Sequence, residues 1–284
     1  MPVDLHLHTT ASDGRLTPAE LVARAAQVGL SVIGITDHDS TDGVAEALAA
    51  AKDFPGLRII PGVELSTDVP RGEVHILGYY VDYKNESFQE RLRGLRQSRE
   101  GRAQQMVKKL ADLGMPLSWE RVLELSGDGA VGRPHIAMAL LERGYISSLP
   151  EAFDKYIGRN SPAYAEREKM TPTEAVQLVA RLNGLPVLAH PGEIENREVL
   201  IEELKTAGLV GMEVYYDGYP APLIEELLSV AQRHGLVATG GSDYHGLDSP
   251  QDTEIGSVFV PDAAAAALFS LAQSRLTSKE VRYP

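Results

Sequence analysis

The chain alternates short apolar runs with amphipathic helical patterns along most of its length. Apolar runs predict strands at 3–8, 31–39, 57–66, 73–82, 185–190, 209–216 and 236–243. Helical patterns separate most of these runs, at 17–29, 42–54, 171–184, 196–207 and 220–234. Strands that alternate with helices predict a parallel sheet with the helices outside it. About seven strands favour an α/β barrel, closed or nearly closed, over an open sheet.

Residues from about 85 to 170 interrupt this alternation. Helical patterns follow one another there, at 86–113, 118–126, 134–143 and 150–157. We therefore expect a helical insertion, residues 86–169, within a barrel formed by residues 1–85 and 170–284. Thr17 with Glu20, and Thr171 with Glu174, are typical of capping boxes that begin two of the barrel helices.

Side chains that bind metal ions stand at or near the ends of most predicted strands. They include six of the eight histidines and several carboxylates: His6, His8, Asp13, Asp37, His38, Glu64, His75, His190, Asp243 and His245. The C-terminal ends of barrel strands converge on one mouth, so we expect these side chains to meet there. A buried polar cluster without partners would be destabilising. The pattern therefore predicts a metal centre.

Two further aspartates near these positions have plainer explanations. Asp4 lies deeper in the first strand than His6, and we expect it to orient a metal ligand from behind. Asp37 precedes His38 and is equally typical of a turn.

Composition narrows the metal ligands and the partners. The chain has no cysteine, so a metal must be held by imidazole and carboxylate groups. Its net charge of −13 argues against binding to duplex nucleic acid, which needs a basic surface. The N-terminus has no signal-peptide pattern and no apolar run is long enough for a membrane span, so we expect a cytoplasmic location.

The motifs taken together resemble one family. The segments "DLHLHTTASDG", "GITDHD", "GVELS", "VHILGY", "LAHPG" and "GSDYHG" are similar, in this order, to those of the polymerase-and-histidinol-phosphatase (PHP) metal-dependent phosphoesterases. The resemblance implies a distorted (β/α)₇ TIM-like barrel that binds two to three divalent metal ions. It also implies that the helical insertion covers the active site.

The same resemblance implies three groups of metal ligands. His6, His8, Glu64 and Asp243 would hold the first ion; Glu64 would be shared with the second, which His75 and His190 complete; Asp13, His38 and His245 would hold the third. Glu64, His38, Asp13 and Asp243 would thus also serve catalysis. Imidazole and oxygen ligands suit Mn²⁺, which we expect, as well as Fe²⁺ or Zn²⁺. The proton donor for the leaving group stays open between His38 and a metal-bound water.

Basic residues of the insertion predict an anion site. The predicted helix 86–113 has an apolar stripe formed by Leu92, Leu95, Met106, Leu110 and Leu113. Arg99 and Arg102 continue this stripe, and a buried arginine pair favours an oxyanion such as phosphate. Arg91, Arg93 and Arg96 lie off the stripe, and we expect them to be solvated.

Two other parts of the insertion add candidates for the anion site. Arg133 and His135 lie at the start of the helix 134–143, where backbone N–H groups favour an anion. Lys155, Arg159 and Asn160 give a weaker signal, which a plain loop explains as well.

Within the family, the chain most resembles nucleoside 3′,5′-bisphosphate phosphatases and 5′→3′ oligoribonucleases. This resemblance implies hydrolysis of the 3′-phosphate of a bisphosphate such as pAp, to AMP and phosphate, while the insertion holds the 5′-phosphate. Short 5′-phosphorylated RNA is a related candidate substrate. The alternatives are a histidinol-phosphate phosphatase, a non-catalytic metal-binding accessory domain and an amidohydrolase.

Overall fold

The computed structural model describes residues 2–69, 73–127, 131–166, 170–246 and 253–280, so the predicted domain boundaries at 1, 169 and 284 lie outside it. In these ranges the strands are β1 (Val3–Asp4), β2 (Val32–Ile35), β3 (Arg58–Asp68), β4 (Glu73–Tyr79), β5 (Leu185–Leu188), β6 (Gly211–Tyr216) and β7 (Val237–Gly241). They form one seven-stranded sheet in chain order. The sheet closes because Leu5 N donates to Gly240 O at 3.2 Å and His8 N donates to Tyr244 O at 3.0 Å. The predicted α/β barrel of about seven strands is confirmed.

One strand runs against the others. β1, β2 and β3 are parallel, as are β5, β6 and β7, but β4 is antiparallel to both of its neighbours. The prediction of a purely parallel sheet is therefore wrong at β4. Only residues 69–72 connect β3 to β4, whereas a parallel crossover needs a dozen residues or more.

Helices surround the barrel and form the insertion. Their bounds are α1 (Pro18–Gln27), α2 (Val44–Ala50), α3 (Glu86–Asp112), α4 (Trp119–Ser126), α5 (Arg133–Glu142), α6 (Leu149–Ala152), α7 (Pro172–Arg181), α8 (Arg197–Ala207), α9 (Ala221–His234) and α10 (Asp262–Glu280). Both predicted capping boxes are present, Thr17 with Glu20 at α1 and Thr171 with Glu174 at α7. No helix in the described ranges is long and apolar enough to cross a bilayer.

Helix α3 belongs to two hydrophobic cores. Phe88, Leu92 and Leu95 pack with the barrel residues of β3, β4 and α7. Further along, Met106 and Leu110 pack with α4 and α5 in a separate core of the insertion. The predicted stripe is thus confirmed apart from Leu113, which ends the helix and is 47% exposed. The division of the chain at residue 86 stays a prediction.

Helix α10, which the sequence patterns did not predict, closes the barrel at the end opposite the mouth. Its residues Ala264, Leu268 and Ala272 pack against residues such as Val3 and Leu185, which begin β1 and β5. The barrel interior at this end is therefore apolar, and polar groups are concentrated at the mouth.

We expect the substitution Leu268→Ala to destabilise the fold by about 2–5 kcal/mol, the usual effect of truncating a fully buried leucine. Leu268 is 0% exposed. The shift in the urea unfolding midpoint measures this effect. The matched control is Phe269→Ala, because Phe269 is the next residue of α10 and is 47% exposed. Equal midpoint shifts for the two variants would contradict the role of α10 as a buried plug.

Candidate metal centre

The predicted ligand residues come together at the mouth of the barrel. Their ligand atoms form three groups in which all atoms lie within 4.8 Å of one another: His6, His8, Glu64 and Asp243; His38, Glu64 and His75; His8, Asp13, His38 and His245. The groups share His8, His38 and Glu64, so they form one continuous cluster.

Glu64 is the centre of this cluster and is only 1% exposed. Its Oε2 lies 3.1 Å from His6 Nε2, 3.2 Å from His8 Nε2 and 3.1 Å from His38 Nδ1. Its Oε1 lies 2.7 Å from His75 Nδ1 and 3.2 Å from His190 Nε2. Each oxygen of Glu64 therefore faces a different set of imidazoles, as a shared ligand requires.

The reversed direction of β4 explains the position of His75. In the antiparallel pair of β3 and β4, His75 lies opposite Ser66, two residues beyond Glu64. His75 is near the beginning of its strand, and the antiparallel direction brings that beginning to the mouth. His190 follows β5, and its Nε2 lies 3.2 Å from His75 Nδ1.

The group around Asp13 is less compact. Asp13 Oδ1 lies 3.4 Å from His245 Nε2, and Asp13 Oδ2 lies 3.9 Å from His38 Nε2. Asp37 holds this loop, because it accepts hydrogen bonds of 2.7–2.8 Å from Thr9 N, Thr9 Oγ1 and Ser12 Oγ. Asp37 is thus a loop-fixing residue, the plainer of its two explanations.

Asp4 supports the centre through the backbone. It accepts hydrogen bonds from Ser242 N at 2.9 Å and from Gly256 N at 2.9 Å, and Ser242 precedes Asp243. The expectation that Asp4 orients a ligand side chain is wrong in detail, since its contacts are with main-chain N–H groups. Burial raises the pKa of Asp4 above its ordinary value.

The donor set fits divalent metal ions. Asp13 Oδ1 and Asp243 Oδ1 are buried and make no hydrogen bond within the described part of the chain. His6 Nε2 lies 3.1 Å from His8 Nε2, and Asp243 Oδ1 lies 3.0 Å from His8 Nε2. Atoms that share one ion at about 2.0–2.2 Å lie roughly 3–3.5 Å apart. The separations observed here are those of ligands around common centres.

Electrostatics at the mouth also favour cations. Burial raises the pKa of Asp13, but the imidazoles of His38 and His245 outweigh it and hold that pKa well below the ordinary value. Burial lowers the pKa of His6, but Asp243, Glu213 and Glu64 raise it well above the ordinary value. The carboxylates are therefore ionised and draw positive charge into the site.

Sequence reasoning missed two side chains beneath the ligands. Glu213, in the middle of β6, is 0% exposed and contacts both His6 and the backbone of His190. Tyr216, at the end of β6, donates from its hydroxyl to Asp243 Oδ2 at 2.8 Å. The available signal was an ionisable residue inside the otherwise apolar run "LVGMEVYY", since such residues are rarely buried without a role.

Arg99 lies beside the metal ligands. It is 8% exposed, its Nε donates to Asp39 Oδ2 at 2.5 Å, and its Nη2 donates to Ser66 Oγ. Ser66 Oγ in turn lies 3.5 Å from His38 Nδ1. Asp39, which sequence reasoning also missed, follows His38 directly and therefore ties helix α3 to the ligand loop.

The other arginines of α3 take different positions. Arg102 is buried, as predicted, with 4% exposure. Arg96 was expected to be solvated, but it donates from Nη1 to Asp39 O at 3.0 Å and lies 3.4 Å from Asp42. That expectation is wrong for Arg96, because the first half of α3 packs close to the loop after β2. Arg91 and Arg93 are exposed, as expected.

His135 also belongs to the mouth. It is 3% exposed, and its Nδ1 accepts a hydrogen bond from Gly132 N at 3.0 Å at the start of α5. Burial lowers the pKa of His135, with the charges of Asp13, Arg15 and Arg99 also acting on it. His135 is therefore close to these three residues and is neutral near pH 7.

The remaining candidates of the insertion lie elsewhere. The Arg133 guanidinium stands 5.6 Å from the ring centroid of Phe153. Lys155 forms an exposed ion pair with Glu151 at 2.8 Å, and Arg159 donates to Val69 O at 2.8 Å. Asn160 has a left-handed backbone with φ of 66°. For Lys155 and Asn160 these features match the plain-loop explanation.

An α/β barrel with overlapping groups of imidazoles and carboxylates at its mouth defines a metal-dependent hydrolase. Comparison with known proteins makes this class more specific. The family model of the PHP domain matches residues 4–142. A 3′,5′-nucleoside bisphosphate phosphatase of Chromobacterium violaceum is 34% identical over 248 residues, which cover 86% of this chain and 87% of the relative. The chain therefore belongs to the PHP family and is a metal-dependent phosphoesterase.

Two further similarities support this assignment. The 5′-3′ exoribonuclease Rnm of Salmonella typhimurium is 34% identical over 247 residues, covering 85% of this chain and 84% of the relative. A crystal structure of a metal-dependent phosphoesterase from Bifidobacterium adolescentis superposes with a TM-score of 0.86 at 32% identity, covering 95% of this chain and 98% of the other. Sequence identity is the same to the phosphatase and to the exoribonuclease, so identity alone does not choose between their substrates.

Proposed function

We propose that this phosphoesterase removes the 3′-phosphate of nucleoside 3′,5′-bisphosphates, such as pAp, and releases AMP and phosphate. The observation that carries the proposal is that Arg99 and His135, both supplied by the insertion, lie beside the ligand cluster. A substrate with a second phosphate has a use for these groups, whereas a simple phosphomonoester does not. The name of the Chromobacterium violaceum relative supports the same substrate.

The metal ligands of the proposal are those that the resemblance implies. His6, His8, Glu64 and Asp243 hold the first ion, Glu64 with His75 and His190 the second, and Asp13, His38 and His245 the third. Mn²⁺ is the expected ion, and Fe²⁺ or Zn²⁺ would suit the same donors. Such ions supply Lewis acidity that stabilises negative charge on a phosphoryl group.

The residues of the insertion bind and orient the substrate. The ion pair with Asp39 fixes the Arg99 guanidinium, so little side-chain freedom is lost when an anion binds. His135 accepts from Gly132 N through Nδ1, so the neutral ring carries its proton on Nε2 and donates from there. Arg99, Arg102, Arg133 and His135 are the proposed contacts of the phosphate that is not cleaved.

A 5′→3′ exoribonuclease is the second candidate, favoured by the equal identity to the Salmonella typhimurium enzyme. The two reactions break an ester bond at the same phosphorus, the one attached to the 3′ oxygen. They differ in whether this phosphorus also carries a second nucleotide. A 5′-phosphate held by the insertion would serve both substrates in the same way.

Three substrates separate the candidates: pAp, a 5′-phosphorylated dinucleotide and histidinol phosphate, each assayed at the same Mn²⁺ concentration. We expect the highest kcat/KM for pAp. A higher value for the dinucleotide would select the exoribonuclease, and a higher value for histidinol phosphate would overturn the role of the second phosphate. The cytoplasmic location and the exclusion of duplex nucleic acid, both inferred from composition, stay predictions.

We expect Arg99→Ala and Arg102→Ala each to lower kcat/KM for pAp by about 10- to 150-fold, the equivalent of roughly 1.5–3 kcal/mol for a charge-assisted hydrogen bond. Hydrolysis of p-nitrophenyl phosphate, which has no second phosphate, should change little. Steady-state kinetics on both substrates measure this difference. Arg93→Ala is the matched control, because Arg93 is exposed on the same helix.

Arg99 also neutralises the buried Asp39, so its loss will lower stability as well as binding. Thermal unfolding of each variant separates the two effects. Equal losses on both substrates would show that these arginines serve the reacting phosphate or the fold. Unchanged kinetics on both substrates would remove them from the binding site.

A further inference from the structure

Glu213 is a buried carboxylate that stands between two ligands assigned to different metal ions. Its Oε1 lies 3.1 Å from Nδ1 of His6, and its Oε2 accepts a hydrogen bond of 2.8 Å from the backbone N of His190. The side chain is 0% exposed. One carboxylate therefore contacts both His6, in the first proposed ligand group, and His190, in the second.

The contact with His6 determines how that imidazole is presented. Its Nδ1 faces Glu213, while its Nε2 faces Glu64, His8 and Asp243 at 3.1–3.2 Å. An acceptor at Nδ1 keeps the proton there and leaves Nε2 as the ligand atom. Glu213 thus fixes both the tautomer and the ring orientation that the first ion needs.

The contact with His190 stabilises an unusual backbone conformation. His190 has φ of 28° and ψ of 59°, in a region that residues other than glycine rarely adopt. Such conformations persist only where surrounding contacts hold them. The hydrogen bond to Glu213 is one such contact, and this backbone directs the His190 ring towards Glu64 and His75.

We propose that Glu213 is a positioning residue that couples the first two metal sites, so that both depend on a single buried carboxylate. The inference rests on the metal assignment of the proposed function. Glutamine cannot replace Glu213, because its amide has one oxygen and one NH₂ group. It can accept one of the two hydrogen bonds, and its NH₂ group then meets the other N–H donor.

We expect Glu213→Gln to weaken binding of the first two ions by about 10- to 100-fold, as is typical when a partner of a metal ligand is lost. The third ion, held by Asp13, His38 and His245, should bind with unchanged affinity. The experiment starts from chelated full-length protein and titrates it with Mn²⁺ alone. Free Mn²⁺ is followed by EPR, and bound metal is counted by elemental analysis after equilibrium dialysis.

Two other variants make the result specific. Thr239→Val removes a buried hydroxyl directly across from Glu213 in the pair of β6 and β7, where Thr239 donates to Met212 O and contacts no ligand. It should bind Mn²⁺ like the wild type. Asp13→Asn marks the third site, and the ion that it loses should be the one that Glu213→Gln keeps.

Glu213→Asp keeps the proposal testable if the glutamine variant does not fold, because it retains the charge on a side chain one methylene shorter. It should weaken binding of the same two ions. Wild-type affinity at all sites in a folded variant, or an equal loss at all three, would overturn the proposal. The titration contains no phosphate ester, so failure of pAp hydrolysis leaves this test intact, and a negative result here leaves the substrate assignment untouched.

Discussion

Glu64→Gln will reduce turnover by at least about 100-fold, which is the upper range of the effect of losing a group that only supports a metal ligand. Glu64 should have a larger effect, because its two oxygens lie 2.7–3.2 Å from ring nitrogens of five histidines. An amide presents one oxygen where the proposed first and second ions need two. The measurements are kcat on pAp and the metal content of the purified variant.

The charge-matched control is Glu203→Gln, an exposed glutamate of α8 that contacts Thr173. It should retain wild-type turnover and metal content. Circular dichroism checks that the Glu64 variant is folded. A folded Glu64→Gln variant with full metal content and near wild-type kcat would contradict the assignment of Glu64 as a shared ligand.

Exhaustive chelation with EDTA will abolish activity, and Mn²⁺ will restore it. Without thiolate ligands, every ligand of the proposed site is an imidazole or a carboxylate, so binding should be reversible. Metal that binds only the folded chain also stabilises it, by about 2.7 kcal/mol for one site at a hundredfold excess over Kd. The melting temperature should therefore fall on chelation and rise with added Mn²⁺.

The control for this experiment is EDTA saturated with Mn²⁺ before addition, which should leave activity unchanged. Elemental analysis verifies that chelation has removed the metal. Full activity in a preparation shown to be free of metal would refute the metal-dependent mechanism.

The positions of the proposed ligands could be predicted from sequence because they follow the strands. His6, His8, Asp243 and His245 flank the first and last strands, and barrel geometry alone brings those strands together. The motif order supplied the rest of the set. Local patterns were sufficient here because a strand of alternating side chains leaves few choices of face.

The direction of β4 was missed although a signal was present. Four residues between β3 and β4 are too few for a crossover, but the strand pattern around His75 is the same in either direction. Helix α10 was missed for a different reason. Its apolar residues include many alanines, and the amphipathic stripe is weak because one side packs against the barrel end and the other carries Phe269.

Contacts between distant residues could not be predicted at all. Glu213 and His6 are 207 residues apart, and Arg99 and Asp39 are 60 apart. Each residue has an ordinary local environment in the sequence, and its role arises only when the barrel closes or the insertion folds over. Long-range ion pairs of this kind depend on tertiary packing, which local patterns do not encode.

The shared helix α3 limits how this protein can be recombined with its relatives. The helix has 27 residues and is therefore about 40 Å long. A chimera joined at residue 86 would exchange Phe88, Leu92 and Leu95 together with the insertion, and so would leave foreign side chains in the barrel core. A junction after Leu95 would keep the barrel's own packing, but it would place a foreign residue opposite Asp39. Substrate range in this fold can thus be transplanted only by matching Asp39 and Arg99 across the junction.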